Sequence, residues 1–107
     1  MALIVEDGSG VANANSYVSY AEYEAWALER GIAVHGNQAH TEEHILRAMD
    51  FIESQNFLGR KATDEQELQW PRTEVYIDSY SVNSNEIPKQ LKYAVYETTV
   101  TVENGNF

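Results

Sequence analysis

Thr41-Glu-Glu-His-Ile-Leu-Arg-Ala-Met-Asp-Phe-Ile-Glu-Ser-Gln55 decides the fold class. Ile45, Met49 and Ile52 recur at i, i+4 and i+7, and Leu46 widens the stripe. That spacing places the apolar side chains on one face of an α-helix. Thr41 suits the N-cap, and Glu42 and Glu43 suit the positive end of the helix dipole. The spacing predicts a helix over about 42–55, with Gly59 beyond it.

Upstream, Ser19-Tyr-Ala-Glu22 has the spacing of a capping box, in which hydroxyl and carboxylate satisfy each other's backbone N–H groups. Ala21, Ala25, Trp26 and Leu28 follow at near-helical spacing, and Gly31 suits a left-handed C-terminal stop. A helix over about 20–30 is expected. Downstream, Pro88 suits a first helical turn, where its missing N–H costs nothing. Leu91, Val95, Thr98 and Val102 then repeat at helical spacing. Thr98 to Val102 are poor helix formers, so that helix is expected to fray at its end.

Between the second and last helices the pattern weakens. Thr63-Asp-Glu-Gln66 reads as another capping box, opening a short helix through Leu68 that Pro71 stops. Val75, Ile77 and Val82 alternate imperfectly around Asp78-Ser79, as either a weak hairpin or an extended loop. Leu3-Ile-Val5 is either a short strand or an arm that docks on a neighbour. The expected fold is mainly α: three to four helices around Trp26, Leu46, Met49, Ile52, Leu91 and Val95, with an irregular or β-hairpin segment near 73–83. Residues 1–107 are expected to form one domain, with an N-terminal arm over about 1–15 and a short tail over about 103–107.

Composition narrows the function. The 107 residues carry 17 acidic and 7 basic side chains, a formal charge of -10, and 43% are hydrophobic. There is no cysteine, hence no disulfide framework and no thiolate metal site. No apolar run approaches the ~18 residues of a membrane span, and the N-terminus lacks the pattern of a signal peptide. A soluble intracellular protein without membrane partners is expected. The bases gather as Arg60, Lys61 and Arg72, then Lys89 and Lys92. Tight DNA wrapping needs a larger basic footprint, so Arg60, Lys61 and Arg72 are candidates for transient nucleic-acid contact only.

His40-Thr-Glu-Glu43-His44 matches the H-x-x-E-H run of inverted zinc proteases. With Thr41 as N-cap, His40 would lie outside the helix, so the run reads as a solvated helix start. His35 reads as a surface loop residue. No phosphate loop or nucleophile constellation is present. No catalytic residue, metal or cofactor is therefore expected. Trp70-Pro-Arg72 reads first as a core residue and a corner, with an interface anchor as the rival. Seven tyrosines, Tyr17, Tyr20, Tyr23, Tyr76, Tyr80, Tyr93 and Tyr96, suit surfaces buried on assembly, with base stacking as the rival use.

Ala2-Leu-Ile-Val-Glu-Asp-Gly8, Asn13-Ala-Asn-Ser-Tyr-Val-Ser19, Trp70-Pro-Arg72 and Glu86-Ile-Pro88 together resemble a family of tailed-phage and prophage proteins. Its members look like head–tail connector (adaptor) proteins, and the family is also labelled DnaT-like, a single-stranded-DNA binder. The resemblance implies a structural subunit of a ring of about a dozen copies on the portal, extending the DNA channel and meeting a tail-completion protein. It would reside in the host cytoplasm during assembly and then in the virion neck. Leu3, Ile4, Val5, Tyr17, Tyr20, Trp70 and Arg72 are the candidate interface residues under that reading. The alternative is a DnaT-like single-stranded-DNA-binding accessory domain.

Overall fold

A computed structural model of the chain describes residues 3–34, 37–77 and 79–105. The expectations for His35, Asp78 and the last two residues of the tail lie outside the described residues. The elements run α1 (Tyr20–Glu29), α2 (Gln38–Glu53), β1 (Arg60–Lys61), β2 (Arg72–Thr73), β3 (Tyr76–Ile77), β4 (Tyr80–Ser81) and α3 (Lys89–Glu103).

α1 begins as the capping box requires. Ser19 Oγ accepts from the Glu22 N–H at 3.1 Å, and Glu22 Oε1 accepts from the Ser19 N–H at 3.0 Å. Gly31 follows with φ +67°, a left-handed geometry that glycine adopts without steric cost. Tyr23, Trp26 and Ala27 form its buried face.

α2 starts a turn earlier than the sequence suggested. Asn37 is the cap, accepting from the His40 N–H at 3.0 Å, and Asn ranks above Thr in that role. Thr41 is instead buried inside the helix with Ile45, Ala48, Met49 and Ile52. The expected apolar stripe is the buried face, although Leu46 is only half-buried.

Pro88 stands just before α3 as its cap residue, with φ -61° and ψ 143°. The threonine run remains helical to Glu103. The hydroxyls of Thr98, Thr99 and Thr101 donate to carbonyls four residues back, at 2.8, 2.7 and 3.2 Å, so they do not compete for other partners. Leu91, Val95, Tyr96, Thr99 and Val102 are buried, and the α2–α3 contact is the largest between helices.

The expected short helix at 63–68 does not form. Gln66 Oε1 does accept from the Thr63 N–H at 3.0 Å, as a capping box would. Its amide nitrogen, however, is committed to the carbonyls of Leu68 and Pro71 at 2.9 and 2.8 Å, which closes a loop rather than a helical turn. Flanking this loop, β1 pairs antiparallel with β2, Arg60 opposite Thr73 and Lys61 opposite Arg72. β3 and β4 form the hairpin, Ile77 opposite Tyr80. The described chain is thus helix-rich but mixed, three helices with two two-stranded sheets, rather than a bundle of three to four helices.

The N-terminal segment lies on its own chain. Val5 and Ser16 form a parallel bridge, and the Glu6 N–H donates to the Ser16 carbonyl at 2.8 Å. Leu3 packs partly buried against the core, and Ile4 and Val5 remain partly exposed. Among the described residues no helix is long and apolar enough to cross a membrane.

Candidate nucleic-acid interface

The β3–β4 hairpin is pinned at its base. Val75 is buried, and its carbonyl accepts from the Val82 N–H at 2.8 Å. Gly59 makes that seating possible. Its φ is +77°, and a Cβ there would lie 2.2 Å from the Thr73 carbonyl oxygen. The hairpin turn uses a left-handed Ser79, φ +71°. Beyond the base, Tyr76 and Tyr80 are 67% and 79% exposed. Opposite the hairpin stands the start of α3. A groove of about 400 Å³ separates the two, lined by Ile77, Tyr80, Val82, Ile87, Glu86 and Lys89. It combines an exposed phenol ring, an aliphatic floor and a lysine at a helix N-terminus, where the dipole also favours anions. Rings of this kind stack bases without regard to sequence.

Over residues 1–107 the chain matches the family model described as "putative DnaT-like ssDNA binding protein". The chain belongs to this DnaT-like family. No curated protein and no solved structure matches it.

The other expected site residues of this DnaT-like chain fall in different places. Arg72 is buried, its guanidinium spent on backbone carbonyls of residues 57–59 and 69, so it is neither an exposed anchor nor a surface cation. Trp70 is also buried, in edge-to-face contact with Phe57 at 5.6 Å between centroids. Arg60 is exposed and bonded to Glu74, Nε to Oε2 at 3.1 Å and Nη2 to Oε1 at 3.3 Å. Such a surface pair contributes about 0–1 kcal/mol and can be exchanged for a phosphate. Lys61 is exposed, with no ion partner among the described residues. Tyr20 is half-buried and donates to Glu24 Oε2 at 2.9 Å.

Tyr17 is wholly enclosed. Its hydroxyl donates to Glu53 Oε2 at 2.5 Å and accepts from the Trp70 N–H at 3.1 Å, while Glu53 Oε1 takes the Gln69 N–H at 2.9 Å. Burial, then the Glu53 carboxylate, raises this phenol well above the ordinary value. Burial and Glu103 do the same to Tyr23, and burial with Glu22 pushes Tyr96 up to about 12. The neutral phenol is therefore the form that the fold favours. Stability from these groups is complete below about pH 10, where an unfolded tyrosine begins to ionise, and is lost as pH rises above it. Urea midpoints should hold to about pH 9 and fall by about pH 11, and replacing the three residues by Phe should flatten that fall.

His40 and His44 both lie within α2, one turn apart, so the expectation that His40 precedes the helix is corrected. His40 Nδ1 sits 3.5 Å from Glu43, and His44 Nδ1 sits 3.5 Å from Glu103 on α3, whose other oxygen accepts from the Tyr23 hydroxyl. Among the described residues, no group of three or more His, Asp or Glu is placed to hold a metal ion.

Sequence alone did not single out the groove. Tyr76, Tyr80 and Lys89 carried no mark that set them apart from the other tyrosines and lysines. The available signal was a pair of tyrosines flanking the Asp78-Ser79 turn, where side chains stay in solvent.

Proposed function

We propose that this DnaT-like chain is a single-stranded-DNA-binding accessory domain that performs no catalysis and contacts bases through the β3–β4 hairpin and the start of α3. The whole-length family match carries this function. The exposed Tyr80 beside Lys89, with the exposed Tyr76 on the neighbouring strand, supplies the chemistry for it. With a net charge of -10, the surface as a whole repels phosphates, so stacking must provide most of the affinity. Each stacked base contributes about 1–3 kcal/mol, roughly tenfold to a hundredfold in affinity. Tyr80→Ala and Tyr76→Ala should each weaken binding of a labelled single strand by about tenfold in fluorescence anisotropy. Both rings are exposed, so the helical circular dichroism should not change. Undiminished affinity in the double variant would remove the hairpin from the interface.

A second function, the head–tail connector subunit on a phage portal, is favoured by a different observation. Leu28, Phe51 and Leu58 are large apolar side chains left exposed, which a neighbouring subunit of a ring would have to cover. Light scattering over a concentration series separates the two: a ring-sized mass supports the connector, and a monomer that binds oligonucleotide supports the accessory domain.

A further inference from the structure

Between α1 and α3, away from the hairpin, an arginine lies on aromatic rings. The Arg30 guanidinium stands over Trp26, with Cζ 4.9 Å from the ring centroid, and over Tyr93 at 5.7 Å. Its Nη1 donates to the Trp26 carbonyl at 3.2 Å, and among the described residues no carboxylate pairs with it. In a chain with 17 acidic and 7 basic side chains, this cation is held by ring faces instead of an acid. Behind it a ladder of rings runs into the core: Tyr93 to Tyr96 at 6.1 Å between centroids, Tyr96 to Trp26 at 5.1 Å, and Trp26 to Tyr23 at 6.2 Å. Tyr23, Trp26 and Tyr96 are buried, and Tyr93 at the outer end is 45% exposed. The buried rings thus fix an exposed ring and a guanidinium in place beforehand, which lowers the ordering cost of binding. Arg30, Tyr93 and Glu29 line an open cleft of about 360 Å³ over this ladder.

Resting on the proposed single-stranded-DNA function, we infer that this cleft is a second contact of the same strand, in which one base stacks on Tyr93 and Arg30. Aromatic rings and guanidinium planes are the surfaces on which unpaired bases stack. Lys89 and Tyr93 are four residues apart on α3, so they share one face of the helix at a rise of ~6 Å. Lys89 lines the hairpin groove and Tyr93 the cleft, so that face carries a strand from one to the other. The cleft suits a base better than a phosphate. Glu29 shares it with Arg30, and among the described residues no cation pairs with Glu29. A phosphate brings acceptors alone and would meet that carboxylate, whereas the edge of a base brings donors and acceptors together. Glu22, the other carboxylate there, is spent on Lys92 Nζ at 3.1 Å and on the Ser19 N–H at 3.0 Å.

The test is anisotropy on the full chain with a labelled oligothymidylate of about ten nucleotides. Wild type should bind one strand per chain. Tyr93→Ala should weaken binding about tenfold, and Tyr93→Phe should leave it unchanged, since the ring is what stacks. Arg30→Gln should weaken binding severalfold without altering its salt dependence, because a base contact releases no counterion. Undiminished affinity in both Tyr93→Ala and Arg30→Gln, with Tyr80→Ala still weakened, would overturn the cleft and leave the proposed function standing. A salt dependence flattened by Arg30→Gln would mark a phosphate contact, and two strands per chain would separate the sites; either also overturns it. A change in self-association alone would assign the cleft to a second copy, with the same consequence. If wild type binds no strand at low salt, the proposed function fails first and the cleft with it. Should Tyr93→Ala not fold, Arg30→Gln decides.

Discussion

Arg72→Ala should lower the free energy of unfolding by about 4 kcal/mol. Arg72 is 7% exposed. Nε donates to the Leu58 carbonyl at 2.9 Å, and Nη2 donates to the Gly59 carbonyl at 3.0 Å. Nη1 donates to the Gln69 carbonyl at 3.1 Å and to its side-chain oxygen at 3.0 Å. One planar fork thus holds the segment leaving α2 against the segment entering β2. A hydrogen bond to a charged group contributes roughly 1.5–3 kcal/mol, and stranded carbonyls add a desolvation cost, but water entering the gap recovers part of it. The loss is a large share of the 5–15 kcal/mol that holds a domain together. Arg72→Lys should recover little, since a single ammonium cannot span carbonyls on two sides. Urea denaturation measures both. A loss below about 1 kcal/mol would show that the fork is incidental. A fully stable Arg72→Ala that has lost oligonucleotide binding would instead return Arg72 to the nucleic-acid surface.

Glu6→Ala should cost about 3 kcal/mol, and Glu6→Gln about 2 kcal/mol. Glu6 is 0% exposed, and among the described residues no cation pairs with it. Its carboxylate is satisfied by its own loop: Oε2 accepts from the N–H groups of Gly8 and Gly10, and Oε1 from that of Val11, all at 2.9 Å. Backbone donors curled around an anion in this way form a nest. Glycine is needed at position 8, where φ is +109° and a Cβ would sit 2.1 Å from the Asn85 carbonyl oxygen. Alanine at position 6 leaves three buried donors unpaired. Glutamine keeps one acceptor and turns an NH2 toward N–H groups. Hydrogen exchange at Gly8, Gly10 and Val11 should accelerate in both variants, ahead of the helices. Unchanged protection there would mean that the loop holds itself without the carboxylate.

Both of these residues show where sequence reading stopped. The helices were legible because their information is local: Ser19 and Glu22 are three residues apart, and Ile45, Met49 and Ile52 repeat within one element. The start of α2 was misplaced because two good caps, Asn37 and Thr41, stand four residues apart, and only tertiary packing buries the second. Between α2 and α3 the order comes from single side chains bonded to distant backbone, Gln66 and Arg72 above all, and such contacts leave no period to read. Strands of two residues are too short for alternation to show. The tyrosines were ambiguous for the same reason. Tyr17 is buried with Glu53, 36 residues away, accepting from its hydroxyl, whereas Tyr80 meets no such partner among the described residues and lies in solvent.

The central claim, that this acidic chain holds single-stranded DNA by its bases, is tested most directly by the salt dependence of wild-type binding. With Lys89 as the phosphate contact beside the groove, log K against log salt should have a slope of only about -1, at roughly -0.7 per phosphate neutralised. Affinity for a single strand should therefore survive moderate salt and exceed that for a duplex of the same sequence. A steep slope with equal duplex affinity, or no binding at all at low salt, would contradict it.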